Sequence, residues 1–147
     1  MAAGDAGKRR SYLFLNEQTL LYNVGVRSSR AGKESVYTVI SAGINWYEAK
    51  ASCEMILLDQ PALEFVFQPM LGGEPIQREL KLTDLPERPE ATTRLLLEMH
   101  FSGPRQCEAK VMDLGFGELY PSSDLYWRET FWLEEQEGDT YGAGDDL

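Results

Sequence analysis

The sequence predicts an all-β protein, a single antiparallel β-sandwich of about eight strands, and three observations lead there. Helical periodicity is scarce: the longest candidate, Ile44 to Leu58, is interrupted by aromatics and Cys53 where an amphipathic helix would show an apolar stripe, and it reads as mostly extended. Short β-favouring runs are frequent. Glycine and proline turn chemistry separates them at intervals of roughly 8 to 14 residues, the rhythm of sandwiches and barrels.

In chain order the runs are Leu20 to Val26, Ser35 to Ile40, Cys53 to Leu58, Leu63 to Phe67, Arg78 to Leu82, Leu95 to Phe101, Cys107 to Val111 and Leu125 to Leu133. Ser28 to Lys33, Leu71 to Pro75, Pro86 to Pro89, Ser102 to Pro104 and Gly115 to Gly117 supply the residues at which a strand cannot continue. Two runs alternate cleanly. Leu95, Leu97, Met99 and Phe101 can face a core while Glu98 and His100 face away, and Cys107, Ala109 and Val111 alternate with polar neighbours in the same way. They predict an antiparallel pair turning at Gly103-Pro104, buried on one face and wet on the other.

With 147 residues the chain has room for one domain. Its 43% hydrophobic and 11% aromatic content is enough for a core, and its 26% charged content is ordinary for a globular chain. The predicted organisation is a flexible start over 1–11, a sandwich over 12–133 and a disordered acidic tail over 134–147, where Glu134, Glu135, Glu137, Asp139, Asp145 and Asp146 meet three glycines. A net charge of -10 repels phosphate backbones and anionic lipid, so neither nucleic acid nor membrane is an expected partner. No apolar run nears the roughly 20 residues of a membrane helix, and Tyr12-Leu13-Phe14-Leu15 behind Lys8, Arg9 and Arg10 is too short for a signal-peptide core. The expected compartment is the cytoplasm. Cys53 and Cys107 show no metal or CxxC spacing and read as two buried thiols.

Catalytic chemistry is thin. The single histidine, His100, falls on the polar face of an alternating strand, and one histidine with two scattered cysteines assembles neither a triad nor a transition-metal site. Asp113-Leu114-Gly115-Phe116-Gly117 follows a strand as a phosphate loop would, but no other part of a nucleotide site accompanies it, and a glycine-rich turn is the favoured reading. Tyr126, Trp127, Phe131 and Trp132 crowd the last strand, where burial is favoured over a sugar-binding platform. The chain is expected to be non-enzymatic and to need no cofactor.

Several segments resemble the peptide-binding β-sandwich of the 70-kilodalton heat-shock chaperones, in order, from about Leu20 to Leu133. Leu80-Lys81-Leu82-Thr83-Asp84-Leu85-Pro86-Glu87-Arg88-Pro89 is similar to that family's Leu-Thr, Ile-Pro, Pro segment, and Gly73-Glu74-Pro75 to its Gly-Glu-Arg-Pro turn. Leu95 to Phe101, Cys107 to Asp113, Val24-Gly25-Val26 and Val36 to Ile44 resemble four of its strands. The sequence departs from the family at Trp46-Tyr47, where proline is usual, in a longer first hairpin loop near Arg30, and in the loose match of Tyr12 to Leu15 to the leucine-rich linker. The family's ATPase domain and helical lid have no counterpart in the chain, which implies a holding module or a partner's component. The resemblance implies that an extended apolar polypeptide lies beneath the loops joining strands one-two and three-four, with Val26, Val36, Ile56, Leu57 and Leu58 as the corresponding peptide-binding residues. Phe65 and Phe67 are better read as core. It also makes an actin-like ATPase protein a candidate partner. A scaffold sandwich binding one fixed protein, and a carbohydrate module using Trp127 and Trp132, are the rival readings.

Overall fold

A computed structural model describes residues 18–30, 33–57 and 61–133, so the expectations for 1–11 and 134–147 lie outside the described residues. Eight strands follow in order: β1 (Tyr22–Arg30), β2 (Lys33–Ile40), β3 (Lys50–Leu57), β4 (Ala62–Pro69), β5 (Ile76–Lys81), β6 (Thr93–Gly103), β7 (Gln106–Gly115) and β8 (Tyr126–Trp132). One 3-10 turn, Trp46–Glu48, separates β2 from β3. The strands form two four-stranded antiparallel sheets, ordered β2-β1-β4-β5 and β3-β6-β7-β8.

Each predicted run corresponds to one strand, and the alternating segments explain why the sheets close on each other. Leu95, Leu97, Met99 and Phe101 of β6 and Cys107, Ala109 and Val111 of β7 are all buried in the core cluster, and the two strands form the hairpin expected around Gly103-Pro104. The opposite sheet contributes Val24, Val26, Phe65 and Phe67. Phe65 and Phe67 meet Phe131 of β8 across the sandwich at centroid distances of 5.4 and 5.8 Å, both tilted. Full burial of one such side chain stabilises by about 1.5–3 kcal/mol, so these three rings anchor the sheets together. Several boundaries differ from expectation: β1 runs on through Ser28–Arg30 to pair with Lys33–Ser35, β3 begins at Lys50 and β7 continues past Val111 to Gly115, because the cross-strand ladders extend past the runs of strongest strand propensity.

Antiparallel pairing fixes which connections share an end. Val26 lies opposite Phe65 and Leu57 opposite Thr93, so the connections after β1, β3, β5 and β7 leave from one end of the sandwich, and those after β2, β4 and β6 from the other. The flank where β5 meets β8 is stitched shut. Arg78 Nη2 donates to the Trp132 carbonyl at 3.2 Å, the Tyr22 hydroxyl to the Leu133 carbonyl at 3.0 Å, and Trp127 Nε1 to the Thr83 carbonyl at 2.9 Å.

Candidate functional site

The other flank, where edge strand β2 of one sheet faces edge strand β3 of the other, is built differently. Among the described residues no hydrogen bond joins β2 to β3. Tyr37 lies opposite Val26 in the ladder and shares its inward face, yet Val26 is 5% exposed and Tyr37 63%. The inward-facing row of β3, Ala51, Cys53, Met55 and Leu57, is half-buried at every position, whereas the inward rows of β6 and β7 are closed. Among the described residues the core therefore ends on this flank in an uncovered apolar margin.

Part of the β2 backbone is less guarded than the other edge strands. Edge strands usually carry charges that discourage another chain from pairing with them. β2 carries Lys33 and Glu34 at its start, β3 Lys50 and Glu54, β5 Arg78, Glu79 and Lys81, and β8 Arg128 and Glu129, but Ser35 to Ile40 of β2 is the longest uncharged stretch on these edge strands.

The structure separates the residues that the resemblance assigns to peptide binding. Val26 points into the core, so its side chain cannot line an open groove. Val36, 46% exposed, lies on the outer face of the first sheet, as two contacts show. A Cβ on Gly25, whose neighbours Val24 and Val26 point inward, would fall 2.2 Å from Val36 Cγ1, and the cross-strand partner of Val36, Arg27, forms surface ion pairs with Glu34 and Glu64. Ile56, 47% exposed, is paired with Arg94 on the outer face of the second sheet. Leu57 alone sits on the inward margin, and Leu58 lies outside the described residues. The side chains of Val26, Val36, Ile56 and Leu57 thus bracket the β2–β3 flank without converging on one pocket. Tyr37, Cys53 and Met55, which do face it, are not among the residues that the resemblance assigns, although their alternation with Val36, Glu54 and Ile56 places them on the inner face; Cys53, expected as a buried thiol, is only half-buried because it lies on this open margin, while Cys107 is buried.

At the end shared by the four odd-numbered connections, Asp113 continues the inward row of Cys107, Ala109 and Val111. A buried carboxylate requires partners, and it has them: Arg88 Nη1 and Nη2 at 2.9 and 2.8 Å, the backbone N–H groups of Gly115 and Ser123 at 2.9 and 3.0 Å, and the Ser123 hydroxyl at 2.6 Å. Burial opposes the charge, but the hydrogen bonds from Arg88, Ser123 and Gly115 outweigh it and hold the carboxyl well below the usual carboxylate range. Asp113-Leu114-Gly115-Phe116-Gly117 is accordingly a structural turn. Its Gly115 N–H is taken by Asp113 and its Phe116 N–H by the Tyr120 carbonyl, so neither is free for a phosphate.

Two open clefts lie on the surface of the described residues. One of about 590 Å³ adjoins Leu57 and is walled by Pro61, Leu85, Pro86 and Pro89. The other, about 580 Å³, lies over Glu98, His100, Glu108, Lys110 and Arg128, with His100 exposed on the polar face as its alternation predicts. Among the described residues no group of three or more His, Cys, Asp or Glu is placed to hold a metal ion. Trp127 packs inward and Trp132 is exposed five residues on, so the two do not share a platform.

A family model described as Domain of unknown function (DUF8552) matches residues 19–133. The chain belongs to this family. The match covers the whole DUF8552 sandwich, from the bridge between Thr19 and Asn45 to Leu133, the last described residue. No curated protein and no solved structure matches the chain. Among the described residues no helix is long and apolar enough to cross a membrane.

Proposed function

We propose that this DUF8552 domain is a non-enzymatic polypeptide-binding module, and that an extended apolar segment lies along the flank between β2 and β3. The observation that carries this reading is the contrast between Val26 and Tyr37: adjacent across the ladder and on one face, one is sealed and the other open, so among the described residues the core lacks a cover on that side. An added strand would take backbone hydrogen bonds from the Ser35–Ile40 edge of β2 and set alternate side chains against Tyr37, Met55 and Leu57. Burial of one apolar side chain there adds about 1.5–3 kcal/mol, the source of a preference for apolar segments.

The resemblance to the heat-shock chaperones' peptide-binding sandwich supports the same location. It implies a ligand beneath the connections one-two and three-four, and these leave from one end of the sandwich at the ends of β2 and β3 that border the flank. The proposed partners are an extended apolar polypeptide and, by the same resemblance, an actin-like ATPase protein. Two free thiols, Cys53 and Cys107, support a reducing compartment such as the cytoplasm. A peptide array tests the reading: selection of short apolar segments of varied sequence supports it. Capture of one defined sequence supports a fixed-partner adaptor, and retention of glycan without peptide overturns both.

A further inference from the structure

We infer that two copies of this chain pair flank to flank through the free edge of β3, Lys50 of each opposite the partner's Glu54, and that this dimer closes the apolar margin until a polypeptide competes for it. The inference rests on the reading of this flank as the binding site, and it names a second copy as what regulates access.

The two flanks of the sandwich differ in what their edge strands set at inward positions. On the β5–β8 flank, Arg78 lies opposite inward Phe65 and Glu129 opposite inward Ala109, so each edge places an exposed charge there. Charges at inward positions of edge strands keep sheets from meeting edge to edge. The β2–β3 flank has no such guard among the described side chains: Tyr37, Ala51, Cys53, Met55 and Leu57 hold inward positions and none is charged. Its edges are therefore open to another strand.

Charge complementarity points to a second copy and sets the register. Two β3 strands related by a two-fold axis run antiparallel, and opposite residues share a face, so the axis passes between one residue and its own counterpart. On the outer face β3 presents Lys50, Ser52, Glu54 and Ile56, all exposed. Centring on Lys50 or Glu54 opposes like charges, and centring on Cys53 sets Lys50 against the partner's Ile56. Centring on Ser52 alone brings Lys50 opposite the partner's Glu54, twice by symmetry, with Ala51 opposite the partner's Cys53 on the inner face. Both charges are available: among the described residues Lys50 has no ion pair, and Glu54 has only an exposed contact with Arg94 at 3.5 Å. On the same flank the Ser35–Ile40 stretch of β2, with exposed Tyr37, brings no like charge to the approach.

Sedimentation of the full chain at rising concentration decides it. Between about 10 and about 300 µM the mass should move from that of one chain toward that of two, the range of a small, edge-sized interface. Lys50→Glu and Glu54→Lys should each weaken self-association at least about tenfold, because each turns two attractive pairs into two repulsive ones. Mixing the two variants should restore dimers, since every charge then meets its opposite. A short apolar peptide should return the wild-type dimer to monomer. A wild-type chain that stays monomeric throughout would overturn the inference, and peptide binding that Tyr37→Lys weakens would then leave the flank reading intact. Dimers that both variants form unchanged, or that mixing fails to restore, would overturn pairing through β3. Dimers that obey the charge exchange yet keep their mass under excess apolar peptide would overturn the competition, and with it the flank as a site for other polypeptides.

Discussion

Arg88 and Asp113 form a two-pronged ion pair that is almost wholly shielded from water, with side-chain exposures of 5% and 0%. Arg88 also donates to the Thr93 hydroxyl at 3.2 Å and the Pro121 carbonyl at 3.0 Å, so one guanidinium ties the segment before β6, the end of β7 and the connection to β8. These are the walls of the sandwich at the end where the proposed binding flank opens.

Removal of one partner should therefore cost more than a surface pair would. Arg88→Leu leaves a buried carboxylate without its main partner, and urea denaturation should show a loss of about 3–5 kcal/mol. A loss below about 1 kcal/mol would mean that the pair is solvated in solution.

Acid should probe the same carboxylate. Asp113 is held below its ordinary value of 3.8, so its contribution is fully present above about pH 4 and is lost as pH falls toward its depressed native value. The stability difference between wild type and Asp113→Asn should be constant from pH 5 to 7 and shrink by about 1.4 kcal/mol per pH unit below about pH 4. A pH-independent difference would deny Asp113 its charge in the folded state.

The glycines of the following turn should behave unequally. Gly115 has φ +68° and a Cβ there would lie 2.3 Å from the Tyr120 carbonyl oxygen and 2.5 Å from the Pro121 and Ser122 backbone, whereas Gly117, at φ +72°, faces open space. Gly117→Ala should cost about 1–2 kcal/mol from the left-handed backbone alone, and Gly115→Ala clearly more, both read by thermal unfolding.

The two thiols should differ in reactivity. Burial pushes the Cys107 thiol up to about 12, and Cys53, on the open margin, is raised by burial as well. A thiol reagent at pH 8 should label Cys53 first and reach Cys107 only on unfolding. A bound apolar peptide should slow the labelling of Cys53, which faces the proposed site.

Most of the fold was legible in the sequence because each strand buries one face, which writes period-two alternation into residues such as Leu95 to Phe101 and Cys107 to Val111. The burial of Asp113 could have been read by carrying that alternation one step on, where it takes an inward position and must find a cation. The open flank was not legible in the same way. Tyr37 and Met55 have the composition of core residues, and only the sheet order, which makes β2 and β3 edges, reveals that nothing covers them among the described residues. Val36 and Ile56 were assigned by resemblance, and their faces depend on the bulge between Val24 and Gly25 and on the register with β6, neither of which a single strand's sequence specifies.

Titration of the isotopically labelled chain with a short, extended apolar peptide, followed residue by residue by NMR, tests the central claim most directly. The predicted result is chemical-shift change concentrated at Tyr37, Cys53, Met55 and Leu57, with affinity reduced at least about tenfold by Tyr37→Lys and unaltered by Ile56→Lys on the outer face. Shifts confined to the β5–β8 flank, or binding that survives Tyr37→Lys undiminished, would contradict it.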